Sequence, residues 1–231
     1  MCGRYTLKTP DPATLRERFL LSQDVSWTAR YNIAPGDRVL AVLADGQGDR
    51  TGELVVWGLV PGWAKEPQTG LRLINARAET AARRPAFRDA FAQSRCLLPA
   101  DGFYEWRGSP RGAKQPFHIS RRDGAIFAFA GLWSCWHGDD GQEFRSCAIL
   151  TTAANDAIAP LHDRMPVILD PEGEETWLRA GADGQELHQL LHGLPAVMTV
   201  VNPVGPAVND ARYDAPDCLA APAPARQSAL F

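Results

Sequence analysis

The sequence predicts an α+β fold, a mostly antiparallel, barrel-like β core with a few peripheral helices. Three observations predict it. Short runs rich in β-branched and aromatic residues, bounded by Gly, Pro and Asp, recur along the 231 residues. Only four stretches carry helical spacing of apolar residues. No internal repeat or linker-like segment divides the chain before a terminal stretch rich in Ala and Pro. We therefore expect one domain over residues 1–214 and a partly disordered tail over 215–231.

The strand-like runs are 3–7, 39–43, 53–60, 95–98, 102–106, 117–120, 125–133, 146–151, 167–169 and 196–201. The first helical pattern, 11–21, opens on Asp11-Pro12 and carries Leu15, Phe19 and Leu20 at helical spacing. The second, 79–92, is interrupted by Pro85, which cannot donate to a helix ladder. Residues 172–180 and 185–191 form a late helical pair.

With 45% hydrophobic and 22% charged residues, the chain reads as a soluble globular protein long enough to bury a core. No apolar run approaches the ~20 residues that span a bilayer. The first residues lack the apolar stretch of a signal peptide. A cytoplasmic protein is expected, or a nuclear one if the source is eukaryotic. The five cysteines, Cys2, Cys96, Cys135, Cys147 and Cys218, are odd in number and show no C-x-x-C spacing, which argues against a zinc site or a disulfide framework. Cys96 and Cys147 sit in apolar runs and read as buried thiols.

The net charge is −3 but unevenly spread. Residues 1–125 hold 19 basic against 13 acidic side chains, and residues 126–231 hold 5 against 14. Such asymmetry points to an anionic partner for the first half. Chance segregation between segments that interleave in space is the plainer reading.

Cys2 differs from the other cysteines by position. A small second residue permits removal of the initiator Met1, leaving an α-amine and a thiol on adjacent carbons. Their reference pKa values, roughly 7.7–8.0 and 8.5, put both partly in the nucleophilic form near neutrality. Such a 1,2-aminothiol condenses with an aldehyde to an imine, on which the thiol closes to a thiazolidine ring. Gly3 allows close backbone approach and Arg4 adds a cation.

Four further segments place polar residues in apolar or turn contexts. Residues 57–63, Trp-Gly-Leu-Val-Pro-Gly-Trp, pair two Trp around a turn. In 74–80, Asn75 and Arg77 point the same way if the segment is extended. Glu105 lies between Tyr104 and Trp106. His162, Asp163 and Arg164 precede an apolar run. Each has a bland alternative: a surface carboxylate for Glu105, a turn or cap for His162, a turn former for Asn75, core packing for the Trp residues.

Taken together and in this order, Met1-Cys2-Gly3-Arg4-Tyr5, W-G-L-x-P-x-W, N-A-R-x-E-T, G-F-Y-E-W and H-x-R-M-P resemble the SRAP (SOS-response-associated peptidase) domain family, from Cys2 to about Pro203. Gly62 departs from the family, where a more polar residue often sits. The resemblance implies a sensor and shield of abasic (AP) sites in single-stranded DNA, whose ring-opened sugar offers a C1′ aldehyde. It implies Cys2, Asn75, Glu105 and His162 as catalytic residues. Cys2 supplies the amine and the thiol. Glu105, its pKa raised between aromatic rings, suits general acid–base work. His162 would stabilise the opened sugar or protonate O4′, and Asn75 would orient the Cys2 backbone or the sugar.

Arg4, Arg77 and Arg164, inside the motifs, are the expected phosphate contacts. Arg4 would also depress the pKa of the neighbouring amine. Trp63 is the expected stacking surface, worth roughly 1–3 kcal/mol per base without sequence preference. Weak AP-lyase activity by β-elimination and peptidase-like self-removal of Met1 would be consistent with this chemistry. No cofactor or metal is expected, and a monomer is the default. Two other readings remain: an N-terminal-nucleophile amidohydrolase of the glutaminase kind, which also begins Met-Cys-Gly, and a non-catalytic single-strand DNA binder.

Overall fold

A computed structural model describes residues 2–9, 11–66, 72–108 and 114–223. Thirteen strands run through them: β1 Tyr5–Leu7, β2 Arg30–Ile33, β3 Arg38–Ala44, β4 Arg50–Trp57, β5 Asn75–Arg77, β6 Arg95–Ala100, β7 Gly102–Arg107, β8 Gln115–Arg121, β9 Phe127–His137, β10 Glu143–Ala153, β11 Arg164–Pro166, β12 Ile168–Leu169 and β13 Thr199–Pro203. The helices are short: α1 Pro12–Phe19, α2 Ala78–Ala81, α3 Arg88–Gln93, α4 Pro171–Leu178 and α5 Gly184–Gln189. None is long and apolar enough to cross a membrane.

Five strands close on themselves. β10 runs parallel to β4, β4 pairs with β3, β3 with β6, β6 with β9, and β9 returns antiparallel to β10. Closure leaves no free edge within this ring. β5 and β11 attach to β10, and β12 to β9. The second sheet is antiparallel, in the order β13-β8-β7-β1-β2. Tyr5 of β1 meets Trp57 and Phe129 edge-on, with ring centroids 5.3 and 5.6 Å apart, joining the two sheets through one apolar core. The α+β, barrel-like class expected from the sequence is the one observed.

Burial explains why the barrel strands read as continuous apolar runs. All six residues of β6 are buried, as are residues 146–151 of β10, because both faces of each strand are covered. Pro85 does split the second helical pattern, into α2 and α3. Asp11 caps α1 by accepting from Ala13 N at 3.0 Å, and Pro12 takes the first helical position. α5 starts from a capping box of Asp183 and Glu186. The run at 196–201 divides into a 3₁₀ turn, Ala196–Met198, and β13. β2, β5 and β11 have no counterpart among the predicted strands, because each is short and polar and is held by its partners.

α4 docks through Trp177, which is fully buried and donates from Nε1 to Cys96 O at 3.0 Å and Gly131 O at 3.3 Å. Arg95 lies alongside, donating to the carbonyls of Trp177, Phe91, Ala92 and Arg179. Trp177→Ala removes both the packing and the carbonyl donor. It is expected to cost about 3–5 kcal/mol, measured by urea unfolding; a loss below 1 kcal/mol would show that α4 is dispensable to the barrel.

The chain beyond β13 stays ordered for some distance. Tyr104, Val204, Val208 and Cys218 form a second small core. Asp214 accepts from the backbone N–H of Tyr31 and Asn32 and binds Arg30. The first part of the expected tail is thus a packed 3₁₀ turn, Pro216–Leu219, rather than loose chain. The rest of that tail, 224–231, lies outside the described residues, as does Met1.

Candidate active site around Cys2

Strand pairing assembles the site. β1 lies against β7, with Tyr5 opposite Phe103, so the segment before β1 runs beside the strand that carries Glu105. β5 runs parallel to β10, with Asn75 opposite Ile149 and Arg77 opposite Thr151. β11 pairs with the same end of β10, with Arg164 opposite Ala153, which brings the 162–164 corner to the same place. The extended form of β5 buries Ala76 and turns Asn75 and Arg77 to the other face, as the sequence led us to expect.

Cys2 is fully buried. Asn75 Nδ2 donates to Cys2 O at 2.8 Å, fixing the backbone of residue 2. Asn75 Oδ1 is buried with no hydrogen-bond partner among the described residues, an acceptor turned into the site. Burial holds the Cys2 thiol well above its usual pKa, and the nearby Glu105 charge adds to the shift. Glu105 is 3% exposed. Burial raises its carboxyl above the ordinary glutamate range, while His162 close by opposes the shift. His162 Nδ1 accepts the backbone N–H of Arg164 at 2.9 Å and lies 2.9 Å from Asp163 Oδ1.

The cations differ in what they touch. Arg77 is exposed and, among the described residues, forms no salt bridge. Arg164 makes a bidentate pair with Glu79, at 2.6 and 2.9 Å, and also donates to Thr151 O. Arg4 turns inward. Its NH1 donates to Asn32 Oδ1 at 2.9 Å and Val208 O at 2.7 Å, and its guanidinium lies 5.9 Å from the Trp106 ring centroid. Trp63 is 63% exposed. It shares cavities with Cys135, Trp136 and His137 at the far end of β9 and β10.

Glu79 and Thr151, which orient Arg164, were not singled out from the sequence. Glu79 lies in the N-A-R-x-E-T motif, but nothing linear ties it to a residue 85 positions away. The motif glycines have structural reasons. Gly58 has φ +141°, where a side chain is strained. A Cβ on Gly102 would come within 2.1 Å of His118 Nε2.

The fold and the site together define an α+β protein with a buried cysteine at its second residue, held by an asparagine and facing a glutamate with a histidine beside it. The chain belongs to the SOS response associated peptidase (SRAP) family, whose model matches residues 1–211. It is 37% identical to "Abasic site processing protein YoqW" of Bacillus subtilis, over 95% of this chain and 99% of that one. It is 33% identical to "Abasic site processing protein YedK" of Escherichia coli, over 92% and 96% of the two chains. A crystal structure of a protein from Bacteroides thetaiotaomicron superposes with a TM-score of 0.85 at 23% identity, covering 96% of this chain and 100% of that one, and so supports the fold.

Proposed function

We propose that this protein processes abasic sites in DNA by capturing the C1′ aldehyde in single-stranded DNA as a thiazolidine on Cys2, after Met1 has been removed. The observation that carries the reading is the direct hold of Asn75 on the Cys2 carbonyl beside a buried carboxyl whose pKa is raised. The names of the relatives, abasic site processing proteins, support the substrate class.

The steps follow from the groups present. His162 relays a proton to O4′ as the deoxyribose ring opens and takes up the proton that the C1′ hydroxyl loses, so the imidazole ends as it began. The Cys2 amine adds to the aldehyde to give a carbinolamine. Protonated Glu105 gives its proton to the departing hydroxyl; water leaves, and an iminium and the Glu105 carboxylate remain. The iminium charge, close to the sulfur, lowers the barrier to ionising the buried thiol. The thiol proton passes to Glu105, the sulfur bonds to C1′, and the ring closes with Glu105 protonated again. If closure fails, the iminium instead permits β-elimination, the source of a weak AP-lyase activity.

Arg77 is the strongest candidate for a phosphate contact, because it is exposed beside Asn75. Arg164 reaches the strand from its brace on Glu79. Arg4 acts mainly as an internal brace between the N-terminal segment and residues 208–214. Trp63, whose ring is exposed, offers a surface for a base of the bound strand to stack on.

The test is a denaturing gel of the protein with a single-stranded AP-site oligonucleotide, without borohydride. A covalent band is expected, and an N-terminal tag that blocks Met1 removal is expected to abolish it. Normal cross-linking by the tagged protein would refute the aminothiol chemistry. Glutamine turnover that depends on Cys2 would favour the amidohydrolase instead. Equal, non-covalent retention of intact and abasic strands would favour a simple binder.

A further inference from the structure

The β9–β10 hairpin brings three metal-ligand types together at its open end, away from the Cys2 group. His137 and Glu143 are directly opposite in the antiparallel register, and Cys135 lies two residues back along β9, opposite Arg145. Residues two apart on a strand share a face. The thiol, the imidazole and the carboxylate therefore converge from one side of the hairpin. Cys135 Sγ lies 3.8 Å from His137 Nε2, and His137 Nε2 lies 3.5 Å from Glu143 Oε1. All three donor atoms fall within 4.8 Å of one another.

Those separations suit an ion between them. With Zn–S near 2.3 Å and Zn–N and Zn–O near 2.0–2.2 Å, tetrahedral donors sit about 3.3–3.6 Å apart. The small remaining difference lies within the rotamer freedom of side chains as exposed as His137 and Glu143. Arg145, the one cation on this face of the register, is drawn to Glu53, also meets the Cys135 side chain, and reaches Glu143 Oε2 only at 3.9 Å, leaving Oε1 to face His137. The tight turn between the strands, in which Gly138 N bonds Gln142 O at 2.8 Å and Gly141 takes φ +80°, holds the two ends of the site in register. His137 also borders an open cavity of about 440 Å³, so an ion and a fourth ligand have access.

We propose that Cys135, His137 and Glu143 form a zinc site with solvent as the fourth ligand. The mixture of thiolate, imidazole and carboxylate is borderline in softness, which favours Zn²⁺ over Mg²⁺ or Ca²⁺. Binding exchanges the thiol proton for the metal and leaves the oxidation states unchanged. The ion would pin the hairpin end to which Trp136 ties the Trp63 segment through its 2.7 Å bond to Ala64 O. The linear spacing hides this ligand set, because Glu143 joins it only through the hairpin.

The test uses the full chain, stripped with chelator and titrated with Co²⁺ and then Zn²⁺. One equivalent of Co²⁺ is expected to produce a thiolate-to-cobalt charge-transfer band and the visible bands of a tetrahedral site, both bleached by Zn²⁺. Cys135→Ser is expected to remove the charge-transfer band, while Cys2→Ala leaves it intact. His137→Ala and Glu143→Gln, both on exposed side chains, are expected to weaken Zn²⁺ binding by at least the roughly 10–100-fold that even a supporting outer-shell residue contributes. Absence of the band, its survival in Cys135→Ser, or its loss in Cys2→Ala would overturn the site. None of these readings depends on DNA, so the proposal stands or falls separately from the abasic-site reading.

Discussion

Cys2→Ala is expected to reduce the borohydride-independent cross-link to abasic single-stranded DNA to background, while a borohydride-trappable adduct survives. The two outcomes separate the two nucleophiles of one residue. After Met1 removal the variant still presents an α-amine, held in place because Asn75 binds the backbone carbonyl of residue 2 and not its side chain. That amine still forms the imine. Without sulfur the imine cannot close, so it hydrolyses or eliminates, and strand scission is expected to rise relative to wild type. Cys2→Ser is expected to behave like Cys2→Ala, since its hydroxyl is a far weaker nucleophile than a thiol. A borohydride-independent cross-link in either variant would remove the thiazolidine from the mechanism. Thiol alkylation of the denatured wild-type adduct supplies the complementary check, because the thiazolidine and the open imine have the same mass and only closure removes the free Cys2 thiol.

Glu105→Gln is expected to slow cross-linking by about 10²–10⁴-fold, the usual weight of a positioned acid–base group, with little change in affinity for the DNA strand. The same substitution is expected to stabilise the fold. Glu105 is nearly inaccessible, and burial raises its pKa. A carboxyl whose folded pKa exceeds its unfolded value contributes its full stability below the unfolded value and loses it as pH rises through the folded one. The wild type therefore carries a penalty at neutral pH that the neutral amide avoids. We expect a gain of about 1 kcal/mol, typical of relieving a functional strain, and hence a melting temperature about 2–4 °C higher for a chain of this size. The gain should shrink towards acid pH, where the wild-type carboxyl is protonated in both states. Thermal melts between pH 4 and 8 check this; a variant less stable than wild type at neutral pH would mean that the Glu105 charge supports the fold. Unchanged cross-linking rates would take Glu105 out of the reaction.

The sequence by itself determined the class of fold and pointed to Cys2 as the proposed nucleophile. Short runs of β-branched and aromatic residues bounded by turn formers mark most strands, because strand preference and turn chemistry act on neighbouring residues. Pro85 and the Asp11 cap mark helix limits because they act on their own backbone. Position singles out Cys2 as the aminothiol that removal of Met1 would leave, and the spacing of Asn75 and Arg77 turns both one way in an extended segment.

The tertiary structure alone decided the rest, because pairing across the sheets is long-range and a one-dimensional pattern does not carry it. It closed five strands into a barrel through the β9–β10 and β10–β4 pairs. It set β5 and β11 on the same end of β10, so that Glu79 grips Arg164. Arg4, two residues beyond Cys2 in the chain, is drawn instead to Asn32 and Val208, since a half-buried guanidinium needs acceptors. The Trp63 segment is tied to β9 by the hydrogen bond from Trp136 to Ala64 O. Hairpin register likewise gathers Cys135, His137 and Glu143, a set that sequence spacing argued against and that exists only once two strands lie side by side.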